Sequence, residues 1–243
     1  MREASIFVSN RKQSITANRI KNILWYIGEC YILLRNDKAK YSKTYVKEHT
    51  AIHFEDFLRF RLVEDYLAKN KNLLKARTSD LDEISFTSET QKEYIDQTDY
   101  KQKTDKIDIF INKLGLAQTW GENEDKIYFA IECKRISNLS DTSRYIGDLL
   151  KFTNRSYIEI RLPFEGQLGF IESHSLSDRQ IVEEINAKLR HASHITTERP
   201  LRPCHIHPDI PGTYKSIHRR NTNIKETFSI YHIFLDYSDI VTS

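Results

Sequence analysis

Glycine and proline are scarce in this chain, at seven and five of 243 residues. That leaves little material for long flexible linkers. Cysteine is scarcer still. Cys30, Cys133 and Cys204 form an odd set without paired spacing. This argues against a disulfide framework and for a reducing compartment. No apolar run reaches the length of a membrane span. The opening MREASIFVSNRKQS lacks the basic-then-apolar order of a secretory signal. The expectation is a cytoplasmic protein that meets no membrane. No internal repeat and no low-complexity stretch is found. There is no glycine-rich phosphate loop and no G-x-S-x-G, which disfavours nucleotide-driven motors and serine hydrolases.

The net charge of +3 is too small to establish nucleic-acid binding. Its distribution says more. Arg199, Arg202, Lys215, Arg219, Arg220 and Lys225 face a single acid, Asp209, across residues 199–225. Such a patch could meet phosphates, or be a solvated basic loop. Overall, 29% charged and 39% hydrophobic residues describe a globular chain long enough for a real core.

Apolar spacing predicts a helix over 16–34, through Ile20, Ile23, Leu24, Ile27 and Tyr31, with Thr16 or Asn18 as its cap. A second helix is expected over 50–69, with Phe54, Phe57, Leu58, Leu62, Val63 and Tyr66 inward. Residues 84–94 have strand character at their start, and 95–104 read as a polar connector. KIDIFI (106–111) and KIYFAIECKRI (126–136) read as strands, joined by a loop over 112–125. A helix capped by Ser140 or Asp141 follows, then a strand over 165–173. A further helix is capped by Ser177 or Asp178. Residues 199–212 read as a loop. YKSIHRR and FSIYHIFLDYS close the chain as a pair of strands. The order implies an α/β fold, a mixed sheet flanked by helices. Residues 1–49 would be a helical extension that packs on the core or forms a dimer surface. Residues 50–243 would be the main domain.

Strand alternation places Tyr128, Ala130, Glu132 and Lys134 on one face of 126–136, opposite Ile127, Phe129, Ile131 and Cys133. In 106–111, Asp108 lies opposite Ile107, Ile109 and Ile111. Carboxylates in such apolar strands are costly to desolvate, and two on adjacent strands repel. A divalent cation with oxygen ligands removes the conflict. An adjacent lysine can orient or deprotonate a water, or stabilise phosphate charge. The set suits metal-assisted phosphodiester hydrolysis. The competing interpretation is a structural ion-pair group.

Asp108, followed by Glu132-Cys133-Lys134 at the end of the next strand and then a helix, resembles the PD-(D/E)xK superfamily of restriction-endonuclease-like nucleases. The family's core is helix, three strands, helix, strand, and the element order matches it over about residues 50–173. Ile107 stands where the family name has proline. The resemblance implies Mg²⁺ or Mn²⁺ held by Asp108, Glu132 and the carbonyl of Cys133, with Lys134 as the active-site lysine. It also implies a glutamate from the first core helix. Among Glu48, Glu55 and Glu64, the choice is Glu55. The implied activity is that of a DNA endonuclease. The rivals are a non-cleaving nucleic-acid- or partner-binding protein of the same fold, and a structural protein with salt bridges.

Residues 144–173 with SIHRR and IYHIFLDY look, more loosely, like small bacterial nuclease-like proteins linked to phage defence or mobile elements. A defence-system partner protein or a homodimer is the corresponding expectation. Basic residues Arg144, Lys151 and Arg155 on the helix after the third strand, and Ser216, His218 and Arg220 alternating on a later one, are candidate phosphate contacts. Cys204, His205, His207, His191 and His194 lack the spacing of a closed zinc site.

Overall fold

The computed structural model describes residues 2–81, 83–96, 99–157, 162–221 and 226–243, with side chains outside 2–9 and 155–157. The first helix, α1 (Arg2–Asn36), is longer than the apolar spacing suggested. Thr16 lies inside it and donates its hydroxyl to the Lys12 carbonyl at 2.8 Å instead of capping it. A short strand β1 (Tyr41–Ser42) and helix α2 (Lys43–His49) follow. The second predicted helix begins later, as α3 (Phe54–Arg61), and passes into a π-helical segment, Leu62–Leu67. Helix α4 (Lys71–Arg77) leads into β2 (Ser85–Asp96) and β3 (Gln102–Asn112). These strands take in both ends of the polar stretch read as a connector, 95–96 and 102–104. Their residues there are largely solvated on both faces, so the apolar alternation that marks a strand is missing.

The loop over 112–125 contains a helical turn, α5 (Ala117–Trp120), closed by Gly121 at φ +69°. Strand β4 (Tyr128–Ile136) is followed by a 3-10 turn that Asn138 caps, with Asp141 closing the box. Helix α6 (Thr142–Asn154), β5 (Arg155–Tyr157), β6 (Phe164–Ile171) and α7 (Asp178–His191) come next. Ser177, one of the two expected caps, caps α7, with Gln180 returning the bond, and Asp178 is the first residue of the helix. Strand β7 (Thr197–Pro203) occupies part of the expected proline-rich loop. It is an edge strand with register shifts, so Pro200 and Pro203 are tolerated. Strands β8 (Thr213–Arg219) and β9 (Thr227–Asp236) pair antiparallel, and β10 (Val241–Thr242) pairs with β1.

Among the described residues, eight strands form one mixed sheet in the order β5-β2-β3-β4-β6-β9-β8-β7. The pairs β2/β3 and β3/β4 are antiparallel, whereas β4/β6 and β6/β9 are parallel. Helix α6 is the crossover between β4 and β6. One face carries Ile109, Ile131, Cys133, Leu168 and Ile233 against α1, α3 and the π segment. The other carries Phe234, Ile230 and Tyr214 against Tyr145 and Leu149 of α6 and Ile181 and Ile185 of α7. Helix α1 shares the first core through Ile20, Ile23, Ile27 and Leu34, so the residues read as an extension contribute to the main apolar cluster. No helix among the described residues is long and apolar enough to cross a membrane.

Candidate active site

The carboxyl end of β4 lies between α3 and α6. The last registered pair of β3 and β4 is Ile109 opposite Ile131, so the next step places Asp108 across from Glu132. There the ladder gives way to a side chain. The Cys133 N–H donates to Asp108 Oδ2 at 2.8 Å. The other Asp108 oxygen ion-pairs with Arg59, whose guanidinium is 1% exposed. Arg59 also holds Asp56 at 2.9 Å and pairs with Glu89. Glu89 reaches it from an interior β2 position with φ +60°, a conformation that turns the strand locally.

Glu55 stands one turn before Arg59 on the same face of α3. Its two oxygens accept from Lys134 Nζ and the Arg135 N–H, each at 2.9 Å. Lys134 Nζ also lies 3.3 Å from Asp148 Oδ2 of α6, out of line for a hydrogen bond. Asp148 Oδ1 pairs with Lys151 at 2.8 Å. Thus Asp108, Glu132, Lys134 and Glu55, chosen from the sequence, share one charged cluster. Sequence reasoning missed Arg59, Asp148 and the buried Gln167 that lies opposite Glu132 in the β4/β6 pairing. A single charge on a helix and a glutamine in a strand carry no signal of their own.

Glu132 is 2% exposed, and its Oε1 is buried without a hydrogen-bond partner. Burial, then the nearby Asp108 and Asp148 charges, push its carboxyl well above the usual range despite Lys151 and Lys134. For Lys134, burial acts to lower the ammonium. Asp148 and Glu55 outweigh it and hold the group above the ordinary lysine range. Lys134 therefore stays protonated. Burial also raises the Cys133 thiol far from thiolate formation. Its backbone is the part that touches the site.

No family model, curated protein or solved structure matches the chain. The site's chemistry is therefore judged on its own geometry.

The donors around β4 are oxygens, which suits a hard cation. Among the described residues, no three His, Cys, Asp or Glu side chains form a group placed to hold a metal ion. Asp108 is engaged on both oxygens, so its charge is already met by Arg59 and the Cys133 N–H. The bare Glu132 oxygen is the atom that fits a cation, since a charged carboxylate buried without a partner is costly.

The remaining candidates separate. Arg144 is exposed on α6. Lys151 turns its ammonium to Asp148 while its side chain remains 42% exposed. Ser216 and His218 are fully buried and Arg220 is 8% exposed. Ser216 Oγ bonds His218 Nε2 at 2.7 Å and His232 Nε2 at 2.8 Å, and His232 Nδ1 bonds Tyr145 Oη at 2.9 Å. Burial holds His218 down at about 4, and His232 is lowered too, so both rings are neutral. Arg220 donates to the carbonyls of Phe152 and Leu162 and pairs with Glu165. The alternation in 214–220 was read correctly, but the face it defines lies under α6 and α7. These three residues are interior braces, not an open phosphate site. Of the basic patch, Arg199 and Arg202 are exposed, Arg219 pairs with Glu198, and Lys225 lies outside the described residues, as does the Arg155 side chain.

Proposed function

We propose that this protein is a metal-dependent phosphodiesterase of the PD-(D/E)xK type, acting on DNA. The observation that carries the reading is the Glu132 oxygen, buried and bare beside Asp108, with Lys134 held charged two residues further on. The element order supports it. A helix, three antiparallel strands, a crossover helix and a parallel strand occur in the succession of a restriction-endonuclease-like core, with Asp108 on the second strand and Glu132 and Lys134 on the third.

On this reading Glu132 and the Cys133 carbonyl, with Asp108 where Arg59 yields an oxygen to it, would hold Mg²⁺ or Mn²⁺, which would supply Lewis acidity and a more acidic water. The chain's own groups do the rest. Lys134, kept protonated, acts as a fixed positive charge toward a phosphate oxygen. Glu55 holds that ammonium in place through its 2.9 Å contact. Arg144, exposed on the flanking helix, can meet the backbone of the nucleic acid.

The test is cleavage of plasmid and of single- and double-stranded DNA and RNA in Mg²⁺, Mn²⁺ and EDTA. Metal-dependent cutting is expected. It should fall on the order of 10²-fold or more in Lys134→Ala, the scale of losing one preorganised charge donor. Wild-type protein that cuts nothing in either metal overturns the reading. A second reading is favoured by Arg59, which neutralises Asp108 without any metal. In that case the fold binds nucleic acid or a partner without cutting, and Asp108→Ala changes stability but not any response to Mg²⁺.

A further inference from the structure

Three buried oxygens without hydrogen-bond partners, Glu132 Oε1, Asp148 Oδ2 and Gln167 Oε1, belong to the neighbouring elements β4, α6 and β6. Their placement follows from the backbone. Glu132 and Gln167 are direct partners in the β4/β6 pairing, so their side chains leave the same face of the sheet. Gln167 is fully buried, and its Nε2 donates to the Tyr145 carbonyl of α6 at 2.8 Å. That bond fixes which end of the amide is the free oxygen. Asp148 lies one helical turn beyond Tyr145, on the same side of α6. The Asp148 charge is close enough to help raise the Glu132 carboxyl, after burial and Asp108.

The charge balance points the same way. Within this network six carboxylates (Glu55, Asp56, Glu89, Asp108, Glu132, Asp148) meet four cations (Arg59, Lys106, Lys134, Lys151). Six negative and four positive charges leave −2 when all are ionised, which one divalent ion cancels. Arg135 and Lys43 are counted apart from this network, because both meet Glu172.

We propose that Glu132 Oε1, Asp148 Oδ2 and Gln167 Oε1 form a site for a hard divalent cation, with Asp148 and Gln167 as ligands that the Asp108…Glu132-x-Lys134 pattern does not contain. This deepens the nuclease reading and rests on its demand for a cation at Glu132. Two carboxylates and an amide carbonyl, with no sulfur or imidazole, select magnesium- or manganese-like ions over zinc. The rival occupant is a proton. Protonated Glu132 donating to Gln167 Oε1 satisfies two of the three atoms and leaves Asp148 Oδ2 with the Lys134 ammonium at 3.3 Å and no hydrogen bond.

The probe is Mn²⁺ alone, titrated into the full chain at neutral pH, with free Mn²⁺ read by electron paramagnetic resonance. Gln167→Met removes the amide oxygen at similar volume. With circular dichroism unchanged, it should weaken Mn²⁺ binding by about tenfold or more. Equal affinity, or binding that depends on Asp108 and not on Gln167, overturns the site. So does a wild type that binds no Mn²⁺ at millimolar concentration, the outcome the proton predicts. If Gln167→Met does not fold, Gln167→Glu decides: tighter binding supports the site, and equal or weaker binding overturns it. DNA cleavage that persists alongside Gln167-independent Mn²⁺ binding removes this site and leaves the nuclease reading intact. Gln167-dependent Mn²⁺ binding without cleavage does the reverse.

Discussion

Replacing Arg59 by methionine tests the charged cluster most directly. The arginine is almost fully buried and its guanidinium meets Asp108, Asp56 and Glu89, with Nε on Ser88 Oγ at 3.3 Å. Methionine keeps the length of the apolar stem and so most of the packing. What is lost is the positive charge opposite a buried carboxylate. Breaking a buried pair on one side costs about 3–5 kcal/mol, because the other charge stays behind. For a chain of this size, about 2–4 °C of Tm accompanies each kcal/mol. The expected drop is therefore roughly 6–20 °C, read by circular dichroism melting at neutral pH with EDTA. Adding Asp108→Asn to Arg59→Met removes the stranded charge and should recover most of that loss, giving a coupling of several kcal/mol in the double-mutant cycle. Mg²⁺ should stabilise Arg59→Met more than wild type, since guanidinium and metal then no longer compete for Asp108. Occupancy at a hundred times Kd is worth about 2.7 kcal/mol. A loss below about 1 kcal/mol, the value of an exposed pair, refutes the argument. So does a double variant no more stable than the single one.

Glu132→Gln should stabilise the metal-free protein at pH 7–8 by about 1–3 kcal/mol, because the new amide can donate to the bare Gln167 oxygen. A carboxyl raised in the fold contributes stability below its unfolded pKa and loses it as pH rises, so the gain should vanish near pH 4. A variant no more stable than wild type at pH 8 counts against the buried bare oxygen. Glu172 gives the opposite sign. Burial raises its carboxyl, but the hydrogen bonds from Arg135 and Lys43 outweigh it and hold it below the usual range. Its contribution is full above the unfolded pKa and fades as pH falls through the folded one. Glu172→Gln should cost about 3 kcal/mol at neutral pH, and the difference from wild type should close in acid. Equal melting of the two proteins at pH 7 would show the pair to be idle.

Pattern alone places Asp108 in an apolar strand, puts Glu132 and Lys134 on one face of the next, and narrows the cap of the later helix to Ser177 or Asp178. Period-two alternation and capping are local rules, set by residues a few positions apart, and the backbone obeys them here. Alternation tells which side of a sheet a side chain leaves but not what lies over that side. The face with Ser216 and His218 was legible; that α6 and α7 cover it was not. Nor could spacing reveal that β9 runs parallel beside β6, or that a proline-bearing segment serves as an edge strand. The charge problem posed by Asp108 and Glu132 was visible in the sequence, and a cation was inferred. The structure supplies Arg59 at Asp108 and leaves Glu132 facing Asp148 and Gln167. Those groups lie at least 16 residues away from Glu132 in the chain, or come from a helix packed against the strand ends. Only the docking of α3 and α6 around β4 sets their distances, and Coulomb energies depend on distance in space, not along the chain.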